Sequence, residues 1–146
     1  MIIVSHGLSS SGLFCIVNMF YERFGSRRFY VNKGLILIFP LLSLIMFILV
    51  AANIAAPPTI NLLSEIFLMV GIMGYDVIIV LVFPIGSFLG AVFSIFIYSF
   101  RQHGQIYGNN LSFIKVRFRE LHCLSLHVLP VNIIILGSFL FLSVNV

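Results

Sequence analysis

Apolar stretches alternate along this chain with two short basic loops. Residues 1–21 carry no ionised side chain and residues 35–56 are apolar and uncharged. Residues 59–75 are apolar apart from Glu65, residues 77–100 form an unbroken apolar run, and residues 121–146 form another. A bilayer core about 30 Å thick takes about 20 helical residues to cross. The pattern therefore predicts an all-α fold, a multi-spanning transmembrane helix bundle of about four spans, with helices near 1–21, 35–56, 59–75, 77–100 and 121–146. Asp76 is expected to cap the short turn before the third span.

Pro57-Pro58 interrupts the second stretch. Two consecutive prolines remove two backbone donors, so the carbonyls near Asn53 and Ile54 lose their ordinary helical partners. A helix is predicted to stop near residue 56 and resume near Thr59. If 35–75 were one continuous helix, its length at ~1.5 Å per residue would be ~60 Å, about twice the hydrocarbon thickness. It either crosses twice, or crosses once as a broken, tilted element. Charge decides between these. The basic residues fall in two groups: Arg23, Arg27, Arg28 and Lys33 in the loop 22–33, and Arg101, Lys115, Arg117 and Arg119 in the loop 101–120. Two crossings would split them evenly between the two sides. One crossing puts all of them on one side, as the positive-inside rule demands. The segment 35–75 is therefore read as one discontinuous helix, a form that recurs where helices line a protein-buried or wet cavity.

Composition agrees with the pattern. The chain has 146 residues, 61% hydrophobic and 8% charged, with mean hydropathy +1.19, against about 25% charged in soluble domains. The net charge of +4 comes from the two loops, so no nucleic-acid partner is expected; the expected partner is the lipid bilayer. Cys15 and Cys123 lie inside apolar runs and read as buried free thiols rather than a disulfide. No residues have metal-ligand spacing, and the N-terminus has the features of neither a signal peptide nor a transit peptide. The first run starts at residue 1 with no polar flank, which leads to the expectation of a piece of something longer.

Glu65 is the most informative residue. A charge near the bilayer centre costs at least ~2.5–3.5 kcal/mol, and intramembrane ionisable groups usually mark ion or proton pathways. Asn61 lies one turn earlier on the same face. That side chain and the resumed helix N-terminus both favour the carboxylate, while burial favours the neutral acid. A Glu balanced between them can take and release a proton. His6, on a Ser- and Gly-rich stretch with Ser5, Ser9, Ser10 and Gly12, suits a proton relay; a packing histidine is the plainer reading. His122 and His127, five apart, make a poor metal pair, and His103 reads as a solvated loop residue. Tyr21-Glu22-Arg23 with Arg27-Arg28 can form a local ion-pair cluster. No lysine or arginine is expected at membrane depth, so a cationic partner for Glu65 would come from outside the chain. Hydrolase, kinase and dinucleotide-binding motifs are absent.

Several stretches together carry a family resemblance: His6-Gly-Leu-Ser-Ser-Ser-Gly-Leu-Phe-Cys15, Tyr21-Glu22-Arg23, Ala51-Ala-Asn-Ile-Ala-Ala-Pro-Pro-Thr-Ile-Asn-Leu-Leu-Ser-Glu65, Tyr98-Ser-Phe-Arg-Gln-His-Gly104 and His127-Val-Leu-Pro130. They resemble the chain 4 family of antiporter-like membrane subunits in mitochondrial NADH:ubiquinone oxidoreductase, respiratory complex I, over essentially the whole chain. The resemblance is to the C-terminal part only. It implies about four of some fourteen helices, including the second of two broken ones, in a multi-pass subunit of the mitochondrial inner membrane. It implies proton-path roles for Glu65 and His6, with Asn61 and Asn53 as supporting polar groups and Pro57 and Pro58 as the helix break. Ser64 departs from the family, where Gly is common. The resemblance further implies no catalytic residue, cofactor or metal in this chain. NADH, flavin, iron–sulfur clusters and ubiquinone would be handled by other subunits, and the partners would be other membrane subunits of complex I. A non-pumping structural piece that assembles with a separate N-terminal part, and a related cation/proton antiporter subunit, stay open as alternatives.

Overall fold

The computed structural model describes residues 2–28, 32–57, 59–75, 77–105 and 116–144. Among these every regular element is helical: α1 (Ile2–Phe24), α2 (Leu35–Ile38), α3 (Pro40–Asn53), α4 (Ile60–Met73), α5 (Val77–Gln102) and α6 (Phe118–Val144). Pro58, Asp76 and Lys115 lie outside the described residues, so the expected second proline of the break and the expected Asp76 cap are not characterised. Ile2–Phe24 and Ile78–Gln102 are long and apolar enough to cross a membrane.

The stretch 35–56, expected as one helix, is two. Phe39 sits at φ −132°, ψ 69°, between α2 and α3. The cause is Pro40, whose ring clashes with a helical residue before it; proline is then well placed as the first residue of α3. The next interruption comes at Asn53, three residues earlier than expected. Ile54 ends α3, Ala55 takes a left-handed φ of 62°, and two amides turn back: Ala56 N–H donates to Ala51 O at 3.0 Å and Ala55 N–H to Ala52 O at 3.3 Å. This is a Schellman close with alanine where glycine is usual. Pro57 follows at once, where a helix could not continue.

The path of the broken element is legible from its partners. Between residues 39 and 65, contacts on α1 retreat steadily. Arg23 lies 5.4 Å over the Phe39 ring, Gly12 packs on Leu49, Ser9 bonds Asn53, Ser5 bonds Asn61, and Ile2 shares a groove with Glu65. On α5 the order is the same: Gln102 bonds Ser43, the Tyr98 ring lies tilted against Phe47 at 5.5 Å, and Ser87 shares the Glu65 groove. A hairpin would run back over the same partners. Instead α3 and α4 advance in one direction, antiparallel to both α1 and α5. The two basic loops consequently begin at the same end of the bundle. There the Lys33 ammonium lies 4.1 Å over the Phe100 ring, and Arg23 forms an ion pair with Glu120.

Arg23 reaches beyond the expected local cluster to α6; within it, Glu22 accepts from Asn18 Nδ2 at 3.0 Å, and Arg27 lies 4.8 Å over Tyr21. Glu120 also accepts from the Arg117 backbone N–H at 3.0 Å, half of a capping box at the start of α6. Burial pushes the Glu120 carboxyl up. The bonds from Arg23 and Arg117 and the two guanidinium charges outweigh it and hold the pKa below the usual value.

The core lies between α1, α3 and α6, built on the fully buried Ile16, Phe20, Leu42, Leu49 and Leu124. Gly12 permits the close approach. A Cβ there would lie 2.9 Å from Leu49 Cδ1 and 3.3 Å from His127 Cβ. None of the span Ile78–Gln102 is counted as buried over its most apolar window. Ile78, Leu81, Phe88 and Phe93 point outward, a surface that suits lipid or further helices rather than water.

Candidate functional site

Polar side chains gather where α3 gives way to α4. Asn61, in the first turn of α4, donates from Nδ2 to Ala52 O at 2.6 Å, reaching back across the break. Its Oδ1 accepts from the Ser5 hydroxyl on α1. One turn along α1, the Ser9 hydroxyl lies 3.4 Å from Asn53 Oδ1 and also donates to His6 O at 3.1 Å. Serines four apart on one helix face thus bind an asparagine on each side of the break. Ser64 is buried beside them and donates to Ile60 O and Asn61 O. The Thr59 hydroxyl, at the N-cap position, makes no capping bond and is buried without a hydrogen-bond partner among the described residues.

Asn61 therefore does not face Glu65 as expected. It is committed to the break, because an open carbonyl in a water-poor interior must find a donor. The helix-dipole expectation also weakens: Glu65 is the sixth residue of α4, beyond the first turn where the effect acts. Glu65 stands half-buried at the edge of the Asn61/Ser64 face. It lines an open groove of ≈ 520 Å³ with Ile2, Leu68, Val82, Phe83 and Ser87. Ser87 is the other polar side chain there. Among the described residues Glu65 has no hydrogen bond or ion pair.

His6 is exposed, on the flank of α1 rather than on the buried Ser5/Ser9 face. It is four residues from Ile2, so it shares the stripe of α1 that leads to the Glu65 groove. No contact joins His6 to Glu65 among the described residues. Further along the same stripe, Leu13 and Val17 line a second open groove, of ≈ 250 Å³, with Asn53, Ser94, Tyr98 and Arg101. Ser87, Ser94 and Arg101 are seven apart on α5, two turns each, so they form one line past both grooves. Sequence reading missed this line, although the period of seven within an apolar helix was the available signal.

Two more residues were misplaced. Arg101 and Gln102, expected in a loop, are in the last turn of α5 and buried. Gln102 accepts from Ser43 at 2.6 Å and donates to Met46 Sδ at 3.3 Å. Arg101 lies 14 residues from Ser87, ~21 Å along the helix, too far to pair with Glu65. His127 Nδ1 lies 2.8 Å from Cys123 O within its own helix, His122 stacks on Phe118 at 6.3 Å, and His103 is exposed.

The residues 1–94 match the family described as NADH:quinone oxidoreductase/Mrp antiporter, TM. Curated relatives include NADH-ubiquinone oxidoreductase chain 4 of Anopheles arabiensis, 44% identical over 94% of this chain. The proteins of that name from Aedes aegypti and Ceratitis capitata are 42% and 41% identical over the same share. The chain spans 62% of the Anopheles protein and 31% of the other two. With residues 1–94 matched by the family and curated relatives up to 44% identical over 94% of the chain, the chain belongs to the NADH:quinone oxidoreductase/Mrp antiporter membrane family and is homologous to NADH-ubiquinone oxidoreductase chain 4.

Proposed function

We propose that this chain forms the C-terminal part of an antiporter-like subunit of mitochondrial complex I and conducts protons coupled to electron transfer from NADH to ubiquinone. The observation that carries this is Glu65: a carboxylate in an apolar helix, without a partner among the described residues, in a groove beside a helix break. A carboxylate kept at that cost is retained for what it binds. A proton fits better than a metal cation, because besides the Glu65 carboxylate the groove offers one side-chain hydroxyl, fewer oxygens than a hard cation takes.

In this reading Glu65 holds a proton in its neutral form and releases it when charge moves in neighbouring helices. His6, on the stripe between the two grooves, relays protons. Asn53, Ser94 and Ser87 offer hydroxyl and amide groups along the way, and Thr59 offers its uncommitted hydroxyl at the break. Asn61 and Pro57 keep the break open. Cationic partners for Glu65 are supplied by other membrane subunits or by helices outside this chain. NADH oxidation, flavin, iron–sulfur and quinone chemistry take place in other subunits. The chain lies in the inner membrane as a multi-pass protein, with both basic loops on the matrix side.

The test is Glu65→Gln in the intact complex, reconstituted in sealed vesicles. Protons moved per electron should fall while NADH oxidation in leaky vesicles persists. Unchanged pumping per electron would refute the role of Glu65.

A further inference from the structure

Cys15 and Cys123 are the chain's two cysteines, far apart in sequence and read from it as isolated buried thiols. The fold brings them together. Both are free, both are half-buried, and both line one groove of ≈ 510 Å³ along the seam between α1 and α6. The seam is tied on either side: Gly12 meets His127 Cβ below the pair, and Arg23 meets Glu120 above it. A disulfide requires Cα atoms roughly 4.4–6.8 Å apart, a separation that facing helices reach only when closely packed. Gly12, one turn from Cys15, permits such packing.

We infer that Cys15 and Cys123 form an oxidisable dithiol site, in which a small disulfide compound converts the pair to an intramolecular bond that staples α6 to α1. The groove admits the reagent. Asn18, Glu22 and Arg119 line it beside the cysteines, so its mouth is polar at the loop end of the bundle and a proton can leave there. One protein thiol, as thiolate, attacks the small disulfide; a mixed disulfide forms and one small thiol departs. The second cysteine attacks the protein sulfur of that mixed disulfide. The Cys15–Cys123 bond forms and the second small thiol departs. The two cysteines lose two electrons and two protons, and the two released thiols carry them. The closed loop encloses α2 to α5, the segment that carries the break and Glu65. The oxidised form therefore fixes α6 against α1, the helix that lines both grooves of the proposed path, and the site stands whether or not protons move along it.

The experiment uses membranes containing the native protein. They are treated with oxidised glutathione, denatured, blocked with N-ethylmaleimide and digested without reductant for mass spectrometry. The expected product is a linked peptide pair joining Cys15 and Cys123, two hydrogens lighter than its parts and separated by dithiothreitol. In Cys123→Ser the linked pair should vanish, leaving Cys15 alkylated or joined to glutathione. Both cysteines alkylated after oxidant, or each carrying its own glutathione with no linked pair, would overturn the proposal.

Discussion

Replacing Asn61 by leucine isolates the energetics of the break. Leucine keeps the approximate volume and removes both polar functions. Two buried hydrogen bonds go, one to Ala52 O at 2.6 Å and one from the Ser5 hydroxyl, each worth about 1 kcal/mol net. The groups left behind are not wholly abandoned. Ala52 O keeps a 3.3 Å bond from Ala55 N–H, and the Ser5 hydroxyl keeps one to Ile2 O at 3.3 Å. These bonds are long, so part of the 1–3 kcal/mol desolvation penalty for unsatisfied groups remains. The sum is about 2–3 kcal/mol, concentrated in local opening of the segment 54–61. Hydrogen–deuterium exchange of the purified complex in nanodiscs reads that quantity directly. At 1.4 kcal/mol per decade, amides flanking the break should exchange roughly 30- to 150-fold faster, with α6 amides unchanged. Ser5→Ala should show part of the effect, and the double variant less than the sum, with a coupling of about 1 kcal/mol. Exchange within about threefold of wild type in Asn61→Leu would mean that the asparagine does not hold the break.

The remaining predictions concern the ends and seams of the bundle. Ala55→Gly should be neutral or stabilise the complex by up to about 1 kcal/mol, since alanine at φ 62° carries ~1–2 kcal/mol of strain that glycine avoids at some entropic cost; Ala55→Val should lower the thermal midpoint. Gly12→Ala should cost about 1–3 kcal/mol by overpacking against the fully buried Leu49, whereas Gly7→Ala, inside α1 with open space around it, should leave the melting temperature unchanged or raise it. Glu120→Gln should cost about 1–2 kcal/mol, between an exposed and a buried ion pair, because the pair is only partly buried and Arg23 keeps its bond to Met19 O. Since the folded Glu120 pKa lies below the usual 4.5, the unfolded chain binds the proton more readily. Its contribution is therefore complete above that value and is lost as pH falls through the depressed one. A pH series of unfolding midpoints should accordingly be flatter on the acid side in Glu120→Gln, and an identical acid slope in both proteins would refute the pairing.

Much of the fold was legible because apolar length and charge placement act locally. Pro40 and Pro57 each follow a helix end, yet the effect of Pro40 on Phe39 went unread in a stretch apolar throughout. The single crossing of 35–75 was read from loop charge; in the structure α3 and α4 advance in one direction past α1 and α5. Glu65 was conspicuous by composition alone. Its surroundings were not. Asn61, one turn away, looked like a companion of the carboxylate, but a local period cannot reveal that an open carbonyl at Ala52 and a hydroxyl on α1 compete for the same side chain. Arg101 and Gln102 read as loop because charge normally marks a span's end; burial against Ser43 and Met46 depends on α3 lying alongside.

The sequence by itself determined that this chain is a bundle of apolar helices, that it is interrupted before Pro57, which end carries the positive charge, and that one carboxylate lies within an apolar helix. These follow from hydration costs and backbone sterics, which each residue carries with it. Tertiary structure alone decided which groups meet: Arg23 with Glu120, Ser5 with Asn61, Cys15 with Cys123, and Ser87, Ser94 and Arg101 in line past two grooves. Such pairings depend on helix register and rotation, and these are set by close packing at small residues such as Gly12.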